Sequence, residues 1–299
     1  MSPRALSALV FVVLAELLFS TVAAAWSSQE HREITAAAVE ILDPVVSMAV
    51  PDRDTMVRAS VQPDLMRPRQ MPMLRELEAP RHFIDLELLQ GESLPSSASG
   101  YLKLLARLGT QHRGLLGPDW KLETVGVLPY ALVESTQRLA ALFAQLRQRP
   151  DDRDLGIMAM YQAGIMAHYA QDLCQPLHTT LHHDGRARAD GSSPGSGIHR
   201  QMDALLRAVS VTRIDARSRA YEDLFGAVLG ELAASHARVD RVYELSADLE
   251  ALQKGKPINP ALDEFGRQRF ERAVRFTANL LHTAWMLSET IELPDWATH

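Results

Sequence analysis

The stretch that decides the fold is DLGIMAMYQAGIMAHYAQDLCQPLH, residues 154–178. Over residues 154–173 it is apolar almost all round, the pattern of a helix at the centre of a bundle. Gly156 and Gly164 lie inside it. Each costs about 1 kcal/mol against Ala in a helix interior, so both are expected where a neighbouring segment packs close. His168 and Asp172 stand four residues apart and project from one side, a turn apart. A buried imidazole and a buried carboxylate must be paired or metal-bound to offset their desolvation. Pro176 then ends the helix and turns the chain, so His178 enters from another direction.

Helical patterns continue on both sides. In YALVESTQRLAALFAQLRQR, residues 130–149, Val133, Thr136, Leu139, Phe143 and Leu146 recur at steps of three and four, which predicts an amphipathic helix. PDDRD at 150–154 supplies a Pro break and acidic N-cap candidates. Near the end, Phe270, Val274, Thr277, Leu281, Ala284 and Ile291 keep helical spacing over a long run. Alternating β patterns are scarce. LQGESLPSSASG (89–100) and DGRARADGSSPGSG (184–197) read as loops. With no internal repeat and no domain boundary, one all-α domain is expected over residues 26–299.

Residues 1–25, MSPRALSALVFVVLAELLFSTVAAA, carry one Arg, an apolar run and small residues at the end. Ala23 and Ala25 occupy the A-x-A positions of a signal peptide, so cleavage after Ala25 and a secreted or periplasmic protein are expected. The alternative is an uncleaved anchor, since residues 6–25 are about long enough to span a bilayer; Glu16 and the small-residue end favour cleavage. The net charge of −6 argues against tight duplex binding, which rests on many Lys and Arg contacts to phosphate. Cys174 is the only cysteine, so no internal disulfide framework exists and stability must come from packing or metal. Several of the eleven histidines are spaced against carboxylates, which points to metal.

GIHRQMD, residues 197–203, holds a second pair four apart, His199 and Asp203, opening a new helix after the Gly/Ser loop. Two such pairs and the turn histidine outline a multinuclear site. Imidazole and carboxylate without thiolate suit zinc or a similar borderline ion. The alternative is a set of buried His–Asp hydrogen-bonded pairs.

His-x3-Asp-x5-His followed by His-x3-Asp resembles the hallmark of the zinc-dependent phospholipase C and single-strand-specific nuclease superfamily. His168, Asp172, His178, His199 and Asp203 fill its places. Upstream, Trp26, His31, Asp64 in SVQPDLMRP and His82 in RHFIDLE match as well, so the resemblance spans residues 26–203. It implies an exported all-helical hydrolase with three zinc ions in one cleft. One ion would be held by Asp64, His82, His168 and Asp172. A second would be held by the free amine and carbonyl of Trp26, by His31 and by Asp172 as a bridge. A third would be held by His178, His199 and Asp203. The resemblance implies a hydroxide nucleophile between the first two ions, with Asp64 orienting it or taking its proton. Cleavage after Ala25 would free the Trp26 amine and complete the site.

Within the superfamily the chain is more similar to the nucleases. Four residues separate Trp26 from His31, and HFID (82–85) and QPLH (175–178) are nuclease-like. By that resemblance Phe83 stacks on a base, Asp85 hydrogen-bonds the base edge, and Arg67, three after Asp64, neutralises transition-state charge. Asp203 stands where phospholipases have Glu. Three features depart: Gln62 replaces the usual Trp before Asp64, the gap from His82 to His168 is longer, and disulfides are impossible. The implied activity is endonucleolytic cleavage of single-stranded nucleic acid, with 3′-nucleotidase action as a companion. The alternatives are a phospholipase C acting on phospholipid, and a non-enzymatic helical protein with structural zinc. No protein partner is inferred. Phe83 otherwise reads as core. Arg69, Arg75, Arg81, Arg186, Arg188 and Arg200 read as a solvated face, and His182 and His183 as exposed loop. Cys174 reads as a buried thiol, and Met158, Met160, Met166 and Trp285 as core. His112, His236, His282 and His299 read as surface or structurally satisfied groups.

Overall fold

In the computed structural model, residues 28–111, 120–211 and 213–294 are described. The leader, Trp26, His112 and His299 lie outside them. The helices that build the core are α1 (Ser28–Glu40), α2 (Arg53–Ala59), α3 (Leu128–Gln148), α4 (Arg153–Cys174), α5 (Ile198–Asp203), α6 (Leu224–His236) and α7 (Pro260–Leu287). The protein is all-α: among the described residues β-pairing is confined to two isolated bridges, Ile84 with Gly126 and His183 with Gly185.

α4 is the hub. It packs against α1, α2, α3, α6 and α7. Asp152 caps its start by accepting the Leu155 N–H at 3.0 Å, which satisfies one of the orphan donors of the first turn. At its end Gln175 is extended and Pro176–Thr179 forms a 3-10 turn. Every residue over 166–180 is buried. The first half is less enclosed than its apolar composition predicts. Asp154, Ile157, Met158 and Tyr161 form an exposed stripe, because no helix among the described residues covers that side. Met158 is therefore a surface residue, while Met160 and Met166 are core.

The two glycines of α4 do different things. A Cβ on Gly164 would lie 2.5 Å from Ala59 Cβ and 2.5 Å from the Met56 carbonyl oxygen, so its absence lets α2 cross in contact with the α4 backbone. A Cβ on Gly156 would meet only Pro51 Cγ, at 3.6 Å, which is ordinary contact; close packing does not require glycine there.

α7 starts at the Asn259 cap, whose side chain accepts the Leu262 N–H at 2.8 Å. It ends at Leu287, so Ile291 follows the helix instead of extending it. Trp285 sits at the core margin, edge-on to Phe143 at 5.4 Å and under the Arg147 guanidinium at 3.6 Å. The loop at 184–197 stands as expected, while the one after Leu89 ends early, at the helix Ala98–Gln111. No helix among the described residues is long and apolar enough to cross a membrane.

Gly164→Ala should destabilise the fold by about 1–3 kcal/mol through overpacking. Gly156→Ala should leave it unchanged or stabilise it by up to about 1 kcal/mol through helix propensity. Denaturant unfolding of the two variants separates these outcomes, and equal effects would refute the close-approach role of Gly164.

Candidate metal centre

Six elements deliver side chains to the blind side of α4. His168 and Asp172 come from α4 itself, His31 from α1, and His199 and Asp203 from α5. Asp64 comes from the short helix Gln62–Leu65, His82 from the 3-10 turn Ala79–His82, and His178 from the turn after α4. All are buried except Asp64, which is nearly so.

Their donor atoms converge in three sets: His31, His168 and Asp172; Asp64, His82 and His168; and His178, His199 and Asp203. Within each set the atoms lie within 4.8 Å of one another. Asp172 faces two sets at once. Its Oδ2 lies 2.9 Å from His82 Nδ1 and 3.3 Å from His168 Nε2, and its Oδ1 lies 3.5 Å from His31 Nε2. Asp64 is paired with Arg67 through Oδ1, and the same oxygen lies 3.9 Å from both His82 Nδ1 and His168 Nε2.

The outer nitrogens fix the ring tautomers. His31 Nδ1 donates to Gln171 Oε1 at 2.6 Å, and Gln171 in turn donates to Thr35 Oγ1 at 2.8 Å. His168 Nδ1 donates to the Ser60 carbonyl at 2.8 Å, and His178 Nδ1 to the His82 carbonyl at 2.6 Å. A ring so held turns Nε2 inward and, when neutral, offers its lone pair there, as metal-binding histidines do.

These nitrogens then meet other ring nitrogens, contacts in which one ring of each pair donates only if it carries its proton on that atom. His168 Nε2 stands 3.0 Å from His82 Nδ1, and His178 Nε2 stands 3.1 Å from His199 Nε2. His31 Nε2, Asp172 Oδ1 and Asp203 Oδ2 are buried with no hydrogen-bond partner. Hydrogen-bonded His–Asp pairs would leave these atoms unsatisfied, each at a cost of about 1–3 kcal/mol. A cation in each set satisfies them together. These groups can hold metal ions, and the donor chemistry is that of a borderline ion.

Charge follows the same geometry. Burial, with His168 beside it, lowers the His31 pKa to about 3. Burial also lowers His178, and with the neighbouring His178 and His183 it lowers His199 well below the usual range. These rings are neutral at ordinary pH and available as donors. For His168 burial is outweighed by Asp172 and Asp64, and its pKa rises. Burial opposes the Asp172 carboxylate, but His168 and His178 outweigh it and hold its pKa well below the ordinary value. Asp203 goes the other way: burial, reinforced by Asp172 and Asp64 against the hydrogen bond from Gln175, raises its pKa strongly.

A cavity of about 280 Å³ opens beside His82, His178 and His199, with Arg67, Phe83, Asp85, Leu177, Leu181 and His183 in its walls. Phe83 is half-buried in that wall, so it is not a core residue. Its backbone is locked by Gly126: a Cβ there would lie 2.1 Å from the Phe83 carbonyl oxygen. Asp85 is buried, and burial together with Glu87 pushes its carboxyl well above the usual range.

The structure thus brings together His31, Asp64, His82, His168, Asp172, His178, His199 and Asp203, and places Arg67, Phe83 and Asp85 on the adjoining cavity. Trp26 lies outside the described residues. His183 is not exposed loop; it is half-buried in the cavity wall, its ring 6.2 Å from that of His199. His182 is likewise half-buried, its Nδ1 accepting the Ala187 N–H at 3.0 Å. Several of the arginines expected to be solvated are engaged: Arg81 with Glu134 and Tyr169, Arg186 with Asp240 and the Tyr243 ring, Arg75 with the Arg67 carbonyl, and Arg188 with Ser192 and Ser193. Cys174 is a buried thiol, and His236 donates to the Thr179 carbonyl at 2.9 Å. Sequence reading missed Gln171, Gln175 and Ser60, which orient the donors; two of them flank Asp172, but no spacing signals a hydrogen bond to a backbone carbonyl. Comparison of the chain with family models, curated proteins and solved structures finds no match.

Burial favours the protonated form of Asp203, and a bound cation favours its carboxylate, so metal binding there is linked to proton release. Zinc added to the metal-free protein at pH 7 in weak buffer should release protons. Asp203→Asn should release fewer, and uptake should weaken as pH falls. Zinc uptake with no proton release would contradict the assignment.

Proposed function

We propose that this protein is an exported, zinc-dependent phosphodiester hydrolase holding three zinc ions, and that its substrate is single-stranded nucleic acid. The observation that carries the reading is the clustering of three donor sets, two of which reach one cavity through His82, His178 and His199. A purely structural zinc site would be closed, whereas this cavity reaches His82, His178 and His199.

One ion would be held by Asp64, His82, His168 and Asp172, the second by His31, Asp172 and the expected Trp26 terminus, the third by His178, His199 and Asp203. Zinc bound there supplies Lewis acidity and makes water acidic near neutral pH. The protein's own groups do the rest. Asp172 presents one oxygen to each of two sets and holds them in fixed relation. Asp64, pinned by Arg67, turns an oxygen toward the same sets, where it can orient an attacking water and accept its proton. Arg67 lines the cavity and can donate to a phosphoryl oxygen as charge grows there. Phe83 offers a ring face to one unstacked base, and Asp85, buried in the same wall, offers its carboxyl to the base edge. A cavity of about 280 Å³ suits one splayed base, which a single strand presents readily.

A second reading, phospholipase C, is favoured by a different observation. Leu65, Met71, Met73 and Leu77 are strongly exposed in the segment that follows Asp64. An apolar rim of this kind suits a lipid substrate better than a polar strand.

Elemental analysis of the processed protein should find about three zinc per chain. After chelation and zinc restoration, single-stranded DNA should be cleaved and phosphatidylcholine should not; cleavage of lipid alone would transfer the assignment to phospholipase C. Asp172→Asn should abolish turnover. Phe83→Ala should raise KM for a strand by about 5- to 150-fold, the loss of one base stack worth about 1–3 kcal/mol, and an unchanged KM would remove Phe83 from substrate binding.

A further inference from the structure

Four of the five histidines turn Nε2 toward the donor sets; His82 turns Nδ1. A neutral His82 that offers its Nδ1 lone pair must carry its proton on Nε2. That nitrogen is buried and makes no hydrogen bond of normal geometry. Glu78 Oε1 stands 3.5 Å from it, one helical turn earlier in the chain.

Glu78 is itself held. The Tyr169 hydroxyl donates to the same Oε1. Arg81 Nε donates to the Tyr169 oxygen at 3.0 Å, and Arg81 Nη2 donates to Glu134 Oε2 at 2.8 Å. The Tyr169 ring stands edge-on to His82 at 5.6 Å and to His168 at 5.7 Å. A polar chain therefore runs from Glu134 on α3 through Arg81, Tyr169 and Glu78 to the outer nitrogen of His82. None of these four residues belongs to a donor set.

We propose that Glu78 is a positioning residue for the metal centre: its carboxylate, aimed by Tyr169, holds the proton of His82 on Nε2 and so keeps Nδ1 available to the ion shared with Asp64 and His168. The inference rests on the metal reading above. It assigns to Glu78 the part that Gln171, Ser60 and the His82 carbonyl play for His31, His168 and His178. Without Glu78, the proton can move to Nδ1, where the Asp172 oxygen 2.9 Å away accepts it, and the ring ceases to be a donor. Carboxylate partners of this kind typically change metal affinity 10- to 100-fold, in order-of-magnitude terms.

The test uses the zinc-loaded protein, with wild type, Glu78→Gln and Glu78→Ala titrated against a chromogenic zinc chelator. In parallel, proton–nitrogen spectra of histidine-labelled protein follow the His82 Nε2–H, identified by its absence in His82→Gln. Glu78→Ala should weaken one zinc by about 10- to 100-fold and leave the other two unchanged. Glu78→Gln keeps an acceptor but loses the charge, so it should fall between and shift the Nε2–H resonance. Unchanged affinity with an unmoved resonance would overturn the inference and leave the three-zinc reading intact. Equal weakening of all three ions with a lower melting temperature of the metal-free protein would make Glu78 merely structural and also overturn it. A wild type that binds no zinc would remove both readings.

Discussion

The structure turns on one constraint: five imidazoles and three carboxylates converge in a largely buried space, and three of their inward atoms have no partner. His168 Nε2 meets His82 Nδ1, and His178 Nε2 meets His199 Nε2, each at near 3 Å. Asp172 and Asp203 each point an unpartnered oxygen into the same region. A protein of this size is stable by only about 5–15 kcal/mol, and several unsatisfied buried groups at about 1–3 kcal/mol each would consume much of that. Cations bound there would remove the conflict, and their binding free energy would then become folding free energy.

The helices are arranged to impose the conflict. Gly164 lets α2 approach α4, and the residue that follows α2, Ser60, thereby presents its carbonyl to His168 Nδ1. Pro176 turns the chain so that His178 meets the 82–84 segment, where the bonds run both ways: His178 Nδ1 to the His82 carbonyl, and the Ile84 N–H to the His178 carbonyl at 2.9 Å. Gly126 brings its own strand-like bridge against the same segment and sets Phe83 at the cavity wall. Packing, backbone bonds and donor orientation are one construction.

Much of this is legible in the sequence, for identifiable reasons. α3 and α4 follow from hydrophobic periodicity, and the pairs His168/Asp172 and His199/Asp203 follow from the i, i+4 rule. His31, Asp64 and His82 come from separate elements, and only resemblance to a known motif pattern links them; no spacing within one helix does. Gly164 and Gly156 look alike in sequence, and only the crossing of α2 distinguishes them. The exposed stripe at Met158 and the half-burial of His183 depend on which neighbour covers which face. Glu78 is invisible to sequence because its importance lies in which nitrogen of His82 it faces.

The most direct test of the central claim is crystallography of the zinc-loaded protein with anomalous diffraction measured on both sides of the zinc absorption edge. The account predicts zinc peaks within each of the three donor sets, about 2.0–2.2 Å from imidazole nitrogen and carboxylate oxygen, with His82 bound through Nδ1. Absence of peaks, with the rings hydrogen-bonded to one another or to water, would contradict it.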